Sequence, residues 1–137
     1  MSFSVYVECY SKGQPKPYSW RIIEDAFKPF VCGRERERGR MALLLSFEDG
    51  GEARIVAEDA QNVSGFGVNR PPASPEFWKA IIEIMKSTDG VLWWPWSGCV
   101  ITNPAVRDDL PKEMLAVMGE PTVTEDIDAV HDCIERG

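Results

Sequence analysis

Histidine is almost missing from this sequence: His131 is the single copy. With it go most short-range signatures of metal and nucleophile chemistry. No His pair stands at i, i+4, no EF-hand spacing occurs, and no Cys-x-x-C is present. The four cysteines, Cys9, Cys32, Cys99 and Cys133, lie far apart. Met1-Ser2-Phe3-Ser4-Val5-Tyr6-Val7 has neither the basic region nor the apolar run of a secretory leader. All four thiols are therefore expected to stay reduced, with Cys9 and Cys99 buried in strands. No apolar run approaches the roughly 18–20 residues needed to span a bilayer, so no membrane segment is expected and the cytoplasm is the expected compartment. Positive charge is also scarce. Fifteen Lys and Arg face 22 Asp and Glu, a net charge of −7, which repels a phosphate backbone and argues against nucleic acid as a ligand.

The remaining candidates for chemistry have plainer explanations. His131 and Cys133 stand two apart on an expected helix, so their side chains leave on different faces and make no Cys–His pair. Glu125 and Asp126 with Asp128 or Asp132 are the carboxylates a metal would use, but acids in the first turn of that helix are expected from its dipole alone. Gly65-Phe66-Gly67 lacks the third glycine of a dinucleotide fingerprint, and no Gly-Lys-Ser/Thr follows. Carboxylates are abundant, but nothing singles out two for glycoside hydrolysis. No catalytic residue, metal or cofactor is assigned.

What the chain does have is tryptophan. Val91-Leu92-Trp93-Trp94-Pro95-Trp96-Ser97-Gly98-Cys99-Val100-Ile101-Thr102 holds three of the five, as two apolar runs around a Pro-Trp-Ser-Gly turn. That pattern reads as a buried β-hairpin. Successive strand residues alternate faces, so one of Trp93 and Trp94 points inward and the other is covered by a helix or displayed.

The rest of the chain supplies elements to surround this hairpin. Phe3 to Tyr10 is rich in β-branched and aromatic residues, as a strand is. Ser19 is an N-cap for a helix from Trp20 to Lys28, stopped by Pro29. Gly33 to Arg40 alternates charges and carries a local +2, the pattern of a solvated loop or an exposed edge strand. Met41–Phe47 and Glu52–Glu58 flank an Asp-Gly tip, a strong hairpin signal. Val63–Val68 is a strand whose two glycines mark a bulge or a close backbone approach. Ser74 as N-cap, Pro75 at the first helical position and Glu76 in the first turn open a helix with Phe77, Trp78, Ile81, Ile82 and Met85 on one stripe, ending near Gly90. A short helix from Asn103-Pro104, another from Leu110-Pro111 to Met118, a strand at Pro121–Val123 and a helix from Glu125 to Arg136 capped by Thr124 complete the chain. Strand runs joined by hairpins and punctuated by helices imply a single α+β domain over residues 1–137, mainly antiparallel, with amphipathic helices packed on the sheet.

Phe66-Gly67-Val68-Asn69-Arg70-Pro71-Pro72, Pro75-Glu76-Phe77-Trp78 and Val91-Leu92-Trp93-Trp94-Pro95, after an N-terminal Val-Tyr-Val strand, resemble a set of small bacterial proteins with the same motif order. No catalytic residue comes with that resemblance. In type, the chain also resembles immunity proteins of bacterial toxin systems, which are small acidic cytosolic α+β domains. That resemblance implies a non-enzymatic protein that occludes a toxin's active site. The expected partner is a basic protein, with Trp94 and Trp96 as aromatic anchors and Asp126, Asp128 and Asp132 as an acidic rim. Two alternatives stand beside it. One is a small-molecule-binding domain or minor enzyme with a pocket beside the tryptophan hairpin. The other is a homodimer burying Trp94 and Trp96 between its copies.

Overall fold

The computed structural model describes residues 3–95 and 98–136, and helices pack on one large sheet, the α+β architecture expected. In chain order the strands are β1 (Ser4–Glu8), β2 (Tyr10–Ser11), β3 (Gln14–Pro15), β4 (Tyr18–Ser19), β5 (Val31–Glu37), β6 (Arg40–Ser46), β7 (Glu52–Glu58), β8 (Asn62–Val63), β9 (Gly65–Asn69), β10 (Val91–Trp94), β11 (Gly98–Ile101) and β12 (Thr122–Val123). The helices are α1 (Trp20–Phe27), α2 (Pro75–Thr88), α3 (Lys112–Met118) and α4 (Ile127–Arg136), with 3-10 turns over Lys28–Phe30 and Pro104–Asp109. No helix among the described residues is long and apolar enough to cross a membrane.

The eight-stranded sheet runs β12-β11-β10-β1-β9-β7-β6-β5, antiparallel throughout except between β11 and β12. The Gly33–Arg40 stretch resolves into its edge strand β5 and a tight turn. Arg38 and Gly39 both take positive φ, 54° and 78°, the backbone of a turn whose twist matches the strands it joins. The charges of β5 are sorted by face. Arg34 lies 3.7 Å from Glu24 of α1 and Arg36 lies 3.4 Å from Asp59, while Glu35 meets Arg54 at 3.6 Å on the other side. Exposed pairs of this kind add little stability, but a charged edge resists pairing with another strand.

Strand alternation sends Val5, Val7, Leu43, Leu45, Ile55, Val68 and Leu92 to one face, where all are buried. Against them pack Ile23 and Phe27 of α1 and Phe77, Ile81, Ile84 and Met85 of α2. α4 adds Val130, and its His131 ring sits edge-on to Trp78 at 5.0 Å. These three helices form one layer on one side of the sheet.

The caps explain the helix starts, with two corrections. Ser19 Oγ accepts from the Arg21 N–H at 3.2 Å, as expected. Ser74 stands at the start of α2 but caps nothing. Its hydroxyl, fully buried, donates to Asp49 Oδ1 at 2.7 Å and so ties the helix to the β6–β7 turn. α4 starts two residues later than expected: Asp126 is its cap, accepting from the Asp128 N–H at 3.3 Å. Thr124 holds the turn before it, accepting from the Asp126 N–H at 3.0 Å.

Asp49 also accepts from the Gly51 N–H at 2.9 Å. The Ser74 hydroxyl first, and the Gly51 amide second, hold its carboxyl below the ordinary value. A carboxyl depressed in the folded state adds stability above its ordinary pKa, and that stability is lost as pH falls through the lowered value. Asp49→Asn is therefore expected to be less stable than wild type at neutral pH, with the deficit shrinking on acidification. Urea midpoints measured downward through the carboxylate range check this; a deficit constant with pH would contradict it.

Candidate functional site on the open sheet face

The two strand tryptophans take opposite layers. Trp94 faces the helices and is 4% exposed, so it is a core residue and not the displayed anchor expected for it. The reason is its strand. β10 lies between β1 and β11, and its helix-facing side is sealed. Gly98 opposite leaves room for the indole, since a Cβ there would stand 3.2 Å from the Trp94 ring. The Trp94 Nε1–H is buried with no partner among the described residues. Trp96, the second expected anchor, lies outside the described residues.

Asp126, Asp128 and Asp132 are all exposed, as an acidic rim requires. They belong to α4 and its cap, on the helical layer. Among the described residues the half-buried strand indole is Trp93, on the other layer, so Asp126, Asp128 and Asp132 do not share a surface with it.

Trp93 belongs to a continuous row across the sheet: Glu35, Ala42, Val56, Gly67, Tyr6, Trp93 and Cys99 stand opposite one another from β5 to β11. At the β11 end this face has a cover. Val91, Cys99 and Ile101 are buried with Val106 and Leu110, and Met114, Leu115 and Met118 close the cluster. The cover reaches as far as half-buried Trp93.

Beyond that limit the face is shaped by aromatic rings and missing side chains. The Tyr6 and Trp93 rings stack with centroids 4.5 Å apart and planes 21° from parallel. Tyr6 lies across Gly67, where a Cβ would stand 3.0 Å from its ring. A Cβ on Gly65 would come within 2.7 Å of Glu8 Cγ and 2.8 Å of the Val7 carbonyl oxygen, so only glycine fits there. These are the two glycines whose spacing pointed to close approach. Glu8 is fixed by two donors: Trp93 Nε1–H reaches Oε1 at 2.7 Å and the Tyr10 hydroxyl reaches Oε2 at 3.2 Å. Burial, then the charge of Glu8, push the Tyr10 pKa upward, so it remains a donor at all ordinary pH. The result is a hollow of about 320 Å³ whose polar and aromatic walls are Tyr6, Glu8, Glu58, Ser64, Phe66 and Trp93.

No family model, curated protein or solved structure matches this chain. The two carboxylates and the aromatic faces of the hollow all favour positive charge. The nearby thiols are poor nucleophiles: burial raises the pKa of Cys9 and pushes Cys99 up to about 11. All four cysteines are free. His131, on the helical layer, is not part of the face.

Proposed function

We propose that this protein is a non-enzymatic binding domain that engages a basic protein partner through the open sheet face. A Lys or Arg side chain of the partner enters the hollow, lies against Tyr6 and Trp93 and pairs with Glu8 and Glu58. The observation behind this reading is the Tyr6–Trp93 stack with Glu8 locked beside it at 2.7 Å. A rigid aromatic anchor next to an oriented carboxylate is the composition of a binding hot spot. The net charge of −7 steers a cationic partner toward it. The resemblance in type to immunity proteins supports a bacterial toxin as that partner, its basic active site occluded in the cytoplasm.

Pull-down from a lysate of the source organism tests the reading. Wild type is expected to retain one near-stoichiometric basic protein, and Glu8→Gln, which keeps the shape and removes the charge, to retain far less. Equal retention by both would overturn it. The pocket beside the tryptophan hairpin also favours a second reading, a small organic cation as ligand. Quenching of tryptophan fluorescence by tetramethylammonium or arginine, with no protein captured, would select that reading instead.

A further inference from the structure

A larger hollow lies on the other layer, between α1 and α2. It has a volume of about 580 Å³ and an apolar floor of Ile22, Ala26, Phe30, Ala80 and Ile84. Two of those five are alanines, one on each helix, and their small side chains keep the floor deep. The stripes that seal the core are Ile23 with Phe27 and Phe77 with Ile81, Ile84 and Met85; fully buried Ile84 belongs to both the core and the groove. Ile22 and Ala26 lie on a flank of α1 that no other element fully covers, for both remain half-buried.

The rim is acidic. Asp25 rises from α1, and Glu76 and Glu83 rise from α2, against Lys79 in the lining and Lys86 beside Glu83. Among the described residues none of these three carboxylates takes part in an ion pair, although Glu24, one residue from Asp25, is paired with Arg34. A two-helix groove with an apolar floor and an excess of acids on its rim complements a third helix with an apolar stripe flanked by Lys or Arg. α1 has eight residues and sets the usable length. At a rise of about 1.5 Å per residue the groove accepts about two turns of helix.

We propose that the α1–α2 groove is a second docking surface, and that its occupant is a basic amphipathic helical segment of a partner protein. The site is independent of the open sheet face, on the opposite side of the sheet, so both are accessible at once.

A labelled peptide of about 14 residues, Leu and Lys at helical spacing, serves as probe, with the matching Leu and Glu peptide as control. Fluorescence anisotropy near physiological salt is expected to show the Lys peptide bound and the Glu peptide at least tenfold weaker. Amide shift changes on titration are expected at Ile22, Ala26, Ala80 and Ile84. Ala26→Leu, which fills the floor without altering charge, and Asp25→Lys with Glu83→Lys, which change exposed positions only, are each expected to weaken the Lys peptide at least tenfold with the circular dichroism unchanged. Equal binding of both peptides, shifts confined to the Tyr6–Trp93 face, or wild-type affinity in the folded variants would each overturn the proposal.

Discussion

Phe77→Ala is expected to lower the stability of the protein by about 3–5 kcal/mol. Phe77 is fully buried, and its ring is the hub of an aromatic cluster: 5.9 Å from Phe27, 6.2 Å from Phe47 and 5.1 Å from Trp78. Those contacts join α1, the residue after β6 and α2 itself. Truncation removes the ring's burial and leaves a cavity between three elements that are each held by the sheet, so collapse into the space is limited. The loss is a large part of the roughly 5–15 kcal/mol available to a domain of this kind. Urea denaturation checks it, and a loss under about 1 kcal/mol would show that the helical layer repacks freely. Phe77→Leu keeps most of the volume and is expected to recover at least half of the difference.

Much of this fold was legible in local chemistry. Ser19 before an amphipathic run located α1, Pro75 marked the start of α2, and the Asp-Gly tip located the β6–β7 hairpin. These signals act over a few residues, and tertiary packing did not override them. Ser74 shows where such reasoning stops. A serine before Pro-Glu has the form of a cap, but its hydroxyl was claimed by Asp49, 25 residues away. The edge strand β5 was ambiguous for a related reason: alternating Arg and Glu has the period of a strand and the polarity of a loop.

The candidate site was harder to see because it is made of registers. Period-two alternation placed Tyr6 and Glu8 on one face of β1, and the hairpin placed Trp93 and Trp94 on opposite faces, but neither fact says which face is open. That depended on β1 pairing with both β9 and β10, and on the helices taking the side of Trp94. The glycines Gly65 and Gly67 were the available signal. Read together with Tyr6 and Glu8, they describe side chains lying flat over a strand without its own.

On the proposed function, Trp93→Ala is expected to weaken binding to a captured partner by about 2–4 kcal/mol, about 30- to 700-fold in Kd. Three losses add up in that one change. The ring face that stacks on Tyr6 disappears, the aromatic wall offered to a cation is halved, and Glu8 loses the shorter of its two donors, at 2.7 Å against 3.2 Å from Tyr10. A Glu8 released from Trp93 is no longer oriented toward the hollow, and an unordered carboxylate binds a cation less well because its ordering must accompany binding. Trp93→Phe separates these contributions. It keeps an aromatic ring over Tyr6 but has no N–H to give, so an intermediate loss of about tenfold is expected. Trp94→Phe serves as the control from the opposite layer: it alters a buried side chain, so it is expected to lower the melting temperature and leave the Kd close to wild type. Calorimetric titration of the partner against all three variants, each first shown to be folded, checks the set. A folded Trp93→Ala protein with wild-type Kd would mean that the open face is not where the partner binds, whatever the aromatic stack does for the sheet.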